Sequence, residues 1–542
     1  MNQPYTPDTY TPAGHGRATV QVPLPRRMIE TELSGDFTLP DYHPEIKRLL
    51  RIDTHILPPE TADTEGTVEY YVLYMGHDNA VYCAPLETTY RTEGSLPDGT
   101  NSLSLGEPLV LLCDTTADTP QGRVIAPRRL HIRTKLRSAV KAYGECPIAP
   151  TGLPDGADDT LCTLADTANI CRVYEAAGDP LPMGEDILLP PPTGGEWRLV
   201  CAEARALVTD TSVLDGAVLC RGEVAAKMTL APAAPLPGMP AEEDAEDGAP
   251  SPTGDLTILR RKIPFSVTVP LPGAPVTVGM GACARVLCTE LSAEMEEGHL
   301  HLDLTLLPRV RAHMMESVPY IKDLYSTAYH TTTRARTYPT EAAGSILNGN
   351  FTLSDSLPLA DTDIDPSARI VDMTATATPE ELRTDPARGR CILTGTCHAC
   401  LLLARDGEYS VSHVDLPFRY EFESAEMGDE PMEFEGAVDV WNCRARTDGE
   451  RLALDAELAV SLRTHAPSPL TALSEATVDP ADPVMPRRGE YIICFPASSD
   501  TLWSVAKQYR VPVTALASGN GLTPTAGSDT PDSLGGAGYL II

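Results

Sequence analysis

The chain has 542 residues, 42% hydrophobic but only 5% aromatic, with 76 acidic against 42 basic side chains and a net charge of −34. That length suits roughly three to five domains of ~100–200 residues with cores of Val, Leu, Ile and Ala, and so acidic a surface repels phosphate backbones and anionic lipid heads, which argues against nucleic acid and membrane surfaces as partners. No stretch reaches the ~18–20 apolar residues of a membrane-spanning helix.

Residues 1–16 are rich in Pro, Thr and Tyr and lack the basic and apolar regions of a secretory signal. The expectation is a disordered tail over 1–27 and a chain that stays in the cytoplasm of the cell that makes it. Three β-rich units follow, at 28–146, 160–313 and 341–465. Each contains a Gly-initiated alternating run, at Gly66-Thr-Val-Glu-Tyr-Tyr-Val, Gly216-Ala-Val-Leu-Cys-Arg-Gly and Gly389-Arg-Cys-Ile-Leu-Thr-Gly. A short strand then starts at Pro85, Pro264 or Pro417, and a long alternating strand closes the unit. The closing strand of the third unit reads Leu452, Leu454, Ala456, Leu458, Val460, Leu462, a period of two. One wet and one buried face marks antiparallel sheets. An extended segment precedes the runs, clearest in 39–52 and 359–371, with 187–201 in the same place in the second unit. These are repeated domains rather than solenoid turns.

Arg123, Arg128, Arg129, Arg133, Lys135, Arg137 and Lys141 run against the acidic trend. They read either as the solvated face of a strand or as a docking patch. Residues 231–254, Pro-rich and then acidic, read as a disordered insertion in the second unit. Residues 314–340 form a connector, with Tyr320, Leu324, Tyr325 and Tyr329 spaced as on a short helix that Pro319 would start. Residues 466–488 read as a Pro-rich extended linker.

Residues 489–542 read strand, helix, helix, strand. Asp500 is a candidate N-cap. Leu502, Val505, Ala506 and Tyr509 share one face of the first helix, and Gly519-Asn-Gly521 ends the second. The overall fold class is mainly β: three antiparallel β-rich repeats and a small βααβ C-terminal domain.

The fourteen cysteines lie mostly in alternating apolar runs, as buried thiols would in a reducing compartment. Cys397-His-Ala-Cys400, with Cys391 upstream, has no second CxxC to close a zinc site. Its odd spacing sends the two thiols to opposite faces of a strand. Metal or redox chemistry there is the alternative to buried thiols. No hydrolase, metalloprotease, P-loop or dinucleotide motif stands in a fitting context. Asp361, Asp363 and Asp365, like Glu421 and Glu423, read as solvated faces. No catalytic residue, metal or cofactor is expected.

Asp500-Thr-Leu-Trp-Ser-Val-Ala506, Val513-Thr-Ala-Leu516, Asn520 and Gly538-Tyr-Leu-Ile541 resemble the LysM family. That resemblance implies a shallow groove for N-acetylglucosamine glycans, formed here by Ser499, Asp500, Thr501, Leu502, Asn520, Gly521 and Leu522. Trp503 is expected as an exposed anchor beside it. Ser499 stands where the family has Gly, and 523–533 lengthen the second groove loop; both favour a protein ligand over a sugar.

The core Pro40-Asp-Tyr-His-Pro44 followed by Ile46 and Arg48-Leu-Leu50 is similar to the SPOCS domain family. SPOCS-like units ahead of a terminal LysM resemble a family of clostridial spore-morphogenetic proteins. The resemblance implies a mother-cell scaffold at the forespore surface, joining the spore coat by binding a coat-basement ATPase of the SpoIVA type. Peptidoglycan binding in the cortex or wall is the alternative.

Overall fold

The computed structural model describes residues 18–59, 65–91, 106–148, 150, 160–191, 196–232, 256–272, 279–296, 298–385, 388–423, 433–485, 491–522, 534 and 536–542. The protein is mostly β, and among the described residues every strand pairing is antiparallel. β1 (Thr19–Pro23) leads into a first unit: β2 (Arg27–Thr38), β3 (Ile46–Leu57), β4 (Gly66–Gly76), β5 (Val81–Tyr90), β6 (Gly106–Ala117), β7 (Gln121–Ala126) and β8 (Arg129–Pro147). β9 (Leu161–Ala177) leads into a second: β10 (Leu181–Leu188), β11 (Trp197–Leu214), β12 (Ala217–Pro232), β13 (Thr257–Pro270), β14 (Gly281–Glu296) and β15 (His299–Ser326). β16 (Tyr329–Tyr338) leads into a third: β17 (Glu341–Pro358), β18 (Arg369–Asp385), β19 (Arg390–Arg405), β20 (Glu408–Glu423), β21 (Glu433–Asp448) and β22 (Arg451–Pro467), after which β23 (Leu470–Pro483) returns.

The units share one plan. In each, three consecutive strands make one sheet, β3-β4-β5, β11-β12-β13 and β18-β19-β20. The closing strand is central in a second sheet, with β2 and β6 on β8, β10 and β14 on β15, and β17 and β21 on β22. Alternating apolar residues from both sheets form one core per unit; in the third, Leu452, Leu454, Ala456, Leu458 and Leu462 are all buried. Each fully buried leucine contributes about 1.5–3 kcal/mol.

The extended segments seen in the sequence connect the two sheets. At or near the start of each, a buried leucine's amide caps the turn before the closing strand: Leu39 to Arg128 O (2.9 Å), Leu189 to Gly298 O (3.0 Å), Leu359 to Glu450 O (2.8 Å). In the middle of the central strand of the three-stranded sheet, a glycine packs under an aromatic ring in the second and third units. A Cβ on Gly222 would lie 2.0 Å from Leu207 O and 2.6 Å from the Phe265 ring, and one on Gly395 2.4 Å from Thr378 O and 2.5 Å from the Phe418 ring. The first unit inverts the pair, with Tyr70 facing Leu86.

The second strand of each unit carries a bulge at a corresponding place, which leaves Leu50, Val200 and Val371 outside the pairing ladder. A bulge turns a side chain away from its own sheet. Here the three residues meet in a shared apolar plug with Leu73, Met75, Val81, Ala231, Leu256, Leu402 and Tyr409. Beyond the bulges, Arg51, Asp53, Glu203 and Asp372 bring charge to the same junction. Asp372 accepts from Lys227 (2.9 Å), Arg260 (3.2 Å) and Arg51 (3.3 Å), and Lys227 also pairs with Glu203 (3.1 Å). Burial pushes the Asp372 carboxyl up, and the Lys227 and Arg51 cations override it, holding it at about 2. A second buried cluster joins the first and third units: Lys141 lies 2.6 Å from Glu341 and 2.7 Å from Glu435, and Arg463 lies 3.1 Å from Glu435.

Each unit is entered and left along a two-stranded ribbon: β1 with the end of β8, β9 with the end of β15, and β16 with β23. The ribbons pack together around Val20, Val22, Cys146, Ile170, Val318, Tyr338, Leu470 and Ala472.

Several expectations change here. Residues 19–23 of the expected tail are a strand, because Val20 and Val22 are buried against the ribbon core. The helix expected from Pro319 is absent: 299–326 is one strand, and 329–338 another. The expected linker contains β23, with Pro480 in a register irregularity where it owes no ladder hydrogen bond. The basic cluster is mostly an ion-paired strand face: Arg133 with Glu32 (2.7 Å), Lys135 with Glu30 (2.7 Å) and Arg129 with Asp36 (3.4 Å). Lys141 is buried in the second charge cluster. The insertion at 231–254 and the loop 523–533 lie outside the described residues, except that 231–232 close β12.

Candidate functional site

The C-terminal module pairs β24 (Ile493–Cys494) with β25 (Leu540–Ile541) and sets α1 (Leu502–Tyr509) and α2 (Val513–Gly519) against one face of the pair. Its core is Leu502, Val505, Ala506, Leu516, Ala517, Leu534 and Leu540. Thr501, not Asp500, caps α1. Thr501 Oγ1 accepts from Ser504 N (3.0 Å), and Ser504 Oγ accepts from Thr501 N (2.9 Å). Asp500 instead accepts from the amide of Ala497 (2.7 Å), tightening the loop before the helix.

Asn520 holds the second loop. Its Nδ2 donates to Leu516 O and Ile541 O (both 2.8 Å), and its Oδ1 accepts from Ile541 N (2.6 Å). It therefore ties α2 to the last strand. Gly521 has φ +65°, the left-handed region that favours glycine. The groove residues thus divide. Ser499 and Gly521 are exposed, and Asp500, Thr501, Asn520 and Leu522 are half-buried. Leu502 is fully buried in the core and offers no side chain to a ligand.

Trp503 is corrected most. Its ring is 6% exposed and faces the body of the protein, not the groove. Nε1 donates to Asp323 Oδ2 (2.9 Å), and the ring lies edge-on to Tyr325 with centroids 5.0 Å apart. Lys507 reaches the same Asp323 carboxylate (2.6 Å), Tyr325 OH donates to Val511 O (2.7 Å), and Arg510 donates to Tyr329 O (2.8 Å). Cys162 and Leu164 complete the contact. The module is docked on the β9–β15 ribbon through α1.

The outer face of its two strands stays open. Tyr491 (89%), Ile493, Phe495 (75%), Tyr539 and Ile541 are all exposed there. Residues 491–495 are apolar at every position, so the letters do not show which side stays exposed. Residues 497–526 match the LysM domain model.

The chain carries a C-terminal LysM domain. The match takes in the loop before α1, both helices and the start of the loop after α2, but neither strand. No curated protein and no solved structure matches the chain.

Other chemistry-bearing groups stand as follows. Cys391 and Cys397 are buried on one face of β19, and Cys400 turns to the opposite face. Burial pushes the Cys397 thiol up to about 12 and those of Cys391 and Cys400 up to about 11. Such thiols carry almost no thiolate near neutrality. Among the described residues no three His, Cys, Asp or Glu side chains are gathered to hold a metal. No described helix is long and apolar enough to cross a membrane.

Proposed function

We propose that this chain is a non-catalytic binding scaffold in which the LysM domain takes an N-acetylglucosamine-containing glycan. The supporting observation is the orientation of the domain. It is held to the body through Trp503, Lys507 and Arg510, while Ser499 and Gly521, one on each groove loop, remain exposed. Backbone and small side chains at such a groove let a sugar approach closely, and docking fixes the orientation in which the groove is presented. The test is titration of the full chain with chitin oligomers, followed by calorimetry. Saturable binding that is lost in Gly521→Trp, with the fold intact by circular dichroism, is the expected result. Absence of heat up to about 1 mM oligomer, near −4 kcal/mol of binding, sinks the reading.

A second reading is favoured by the open apolar strand face. Contiguous exposed apolar side chains mark protein-binding surfaces, and Tyr491, Phe495 and Tyr539 are of the aromatic type enriched at protein interfaces. In this reading the chain is the spore-coat scaffold implied by the SPOCS-like segment 39–52, sited in the mother-cell cytoplasm and bound to a coat-basement ATPase of the SpoIVA type. Its support is that sequence resemblance and the order of units ahead of the LysM domain. Co-purification of the ATPase with the full chain, abolished by Phe495→Asp, is expected. Equal capture by the variant refutes docking through this face.

A further inference from the structure

The outward face of β11-β12-β13 carries two rows of side chains across the sheet. Register places Glu203, Lys227 and Arg260 side by side in one row, and Arg205, Ala225 and Lys262 in the next. Ala225 is small, so the second row has a hollow between two cations. Met373, Thr374 and Ala375 of β18 and Val440 to Arg444 of β21 wall it from the third unit, enclosing a cleft of about 220 Å³.

The cleft is cationic in a chain of net charge −34. The first row is neutralised, because Lys227 and Arg260 share Asp372, and Lys227 also meets Glu203. The second row is only partly neutralised. Arg205 donates to the carbonyls of Ala375 (3.3 Å) and Val440 (2.9 Å) and meets no carboxylate among the described residues. Lys262 lies 4.2 Å above the Trp441 ring and 3.5 Å from the half-exposed Glu223. Arg444 forms no ion pair among the described residues, and it is exposed at the rim. The fold does not demand a cation at Arg205: counting from the bulges, the corresponding residues are His55 in the first unit and Thr376 in the third.

We propose that this cleft binds a compact multivalent oxyanion of the diphosphate class, held between Arg205, Lys262 and Arg444. Guanidinium groups match phosphate oxygens in pairs. The volume falls below the ~300–1,000 Å³ of sites that enclose drug-sized ligands, so a diphosphate group fits and a whole nucleotide extends outside. The acidic surface elsewhere repels long polyanions, which favours a small ligand.

The test is calorimetric titration of the full chain with inorganic pyrophosphate at about 150 mM salt, with ADP as the parallel arm. One saturable site is expected. Arg444→Glu, at an exposed residue, weakens it about 10- to 100-fold, the worth of one charged hydrogen bond. Ala225→Glu, which puts a carboxylate in the hollow, abolishes it. Pyrophosphate binding alone identifies a free diphosphate as the ligand; ADP binding at least as tight identifies the diphosphate end of a larger molecule. Absence of saturation with both probes at about 1 mM, or an unchanged affinity in Arg444→Glu, overturns the proposal.

Discussion

Asp372→Asn tests whether the three units are one energetic body. Asp372 is on β18 of the third unit, yet its cations are Arg51 of the first and Lys227 and Arg260 of the second. Its folded value of about 2 lies below the reference 3.8. A depressed carboxylate contributes stability above its unfolded value and loses it as pH falls through its folded value. The difference corresponds to about 2–3 kcal/mol, present above about pH 4 and lost towards pH 2. Removing one member of a buried charge cluster costs about 3–5 kcal/mol, because the others stay buried without it. Urea titrations of both proteins between pH 7 and pH 2, followed by circular dichroism, measure the gap. The expected gap is a few kcal/mol at pH 7 and narrows below about pH 4. Glu435, also held at about 2 in the other cluster, titrates in both proteins and cancels. A cost under about 1 kcal/mol, or a gap independent of pH, refutes the reasoning.

Gly222→Ala and Gly395→Ala each force a Cβ into a carbonyl and a ring, and should lower stability by about 1–3 kcal/mol in thermal unfolding. Trp503→Ala removes the ring packed on Tyr325 and should weaken the docked module by about 3–5 kcal/mol, read as faster proteolytic release of the LysM domain. Cys397, pushed up to about 12, and Cys391 and Cys443, pushed up to about 11, should stay unmodified by a thiol reagent at pH 8 until the chain is denatured.

The repeated sandwich was legible because its strands bury one face. Residues 451–462 alternate without exception, and the period of two is visible in the letters. The stretch around Tyr320 was misread for the opposite reason. A bulge skips Lys322, and Leu324, Tyr325 and Ser326 are buried in succession. The ribbon core covers one face, and the LysM domain covers Tyr325 on the other. With both faces covered, apolar spacing no longer reports strand geometry. Trp503 was misplaced by the same blindness to distant partners: Asp323, which binds its indole nitrogen, lies 180 residues away. Asp500 was a plausible cap by type, but the reciprocal pair Thr501 and Ser504 wins the first-turn amides. The order strand, helix, helix, strand of the C-terminal module was readable because its turn and helix-end residues are local. The basic cleft was not, because it exists only where two units meet.

The shared plug and charge junction also set a schedule for synthesis. Arg51 and Asp372 are 321 residues apart in the chain. At ~5–20 residues per second, the first sandwich waits roughly 16–64 s before its last partner is made. Through that interval the plug around Leu50 lacks Val371, Leu402 and Tyr409, and Arg51 lacks its third-unit partner. A ribosome-associated chaperone would find its longest-lived target on that bulge.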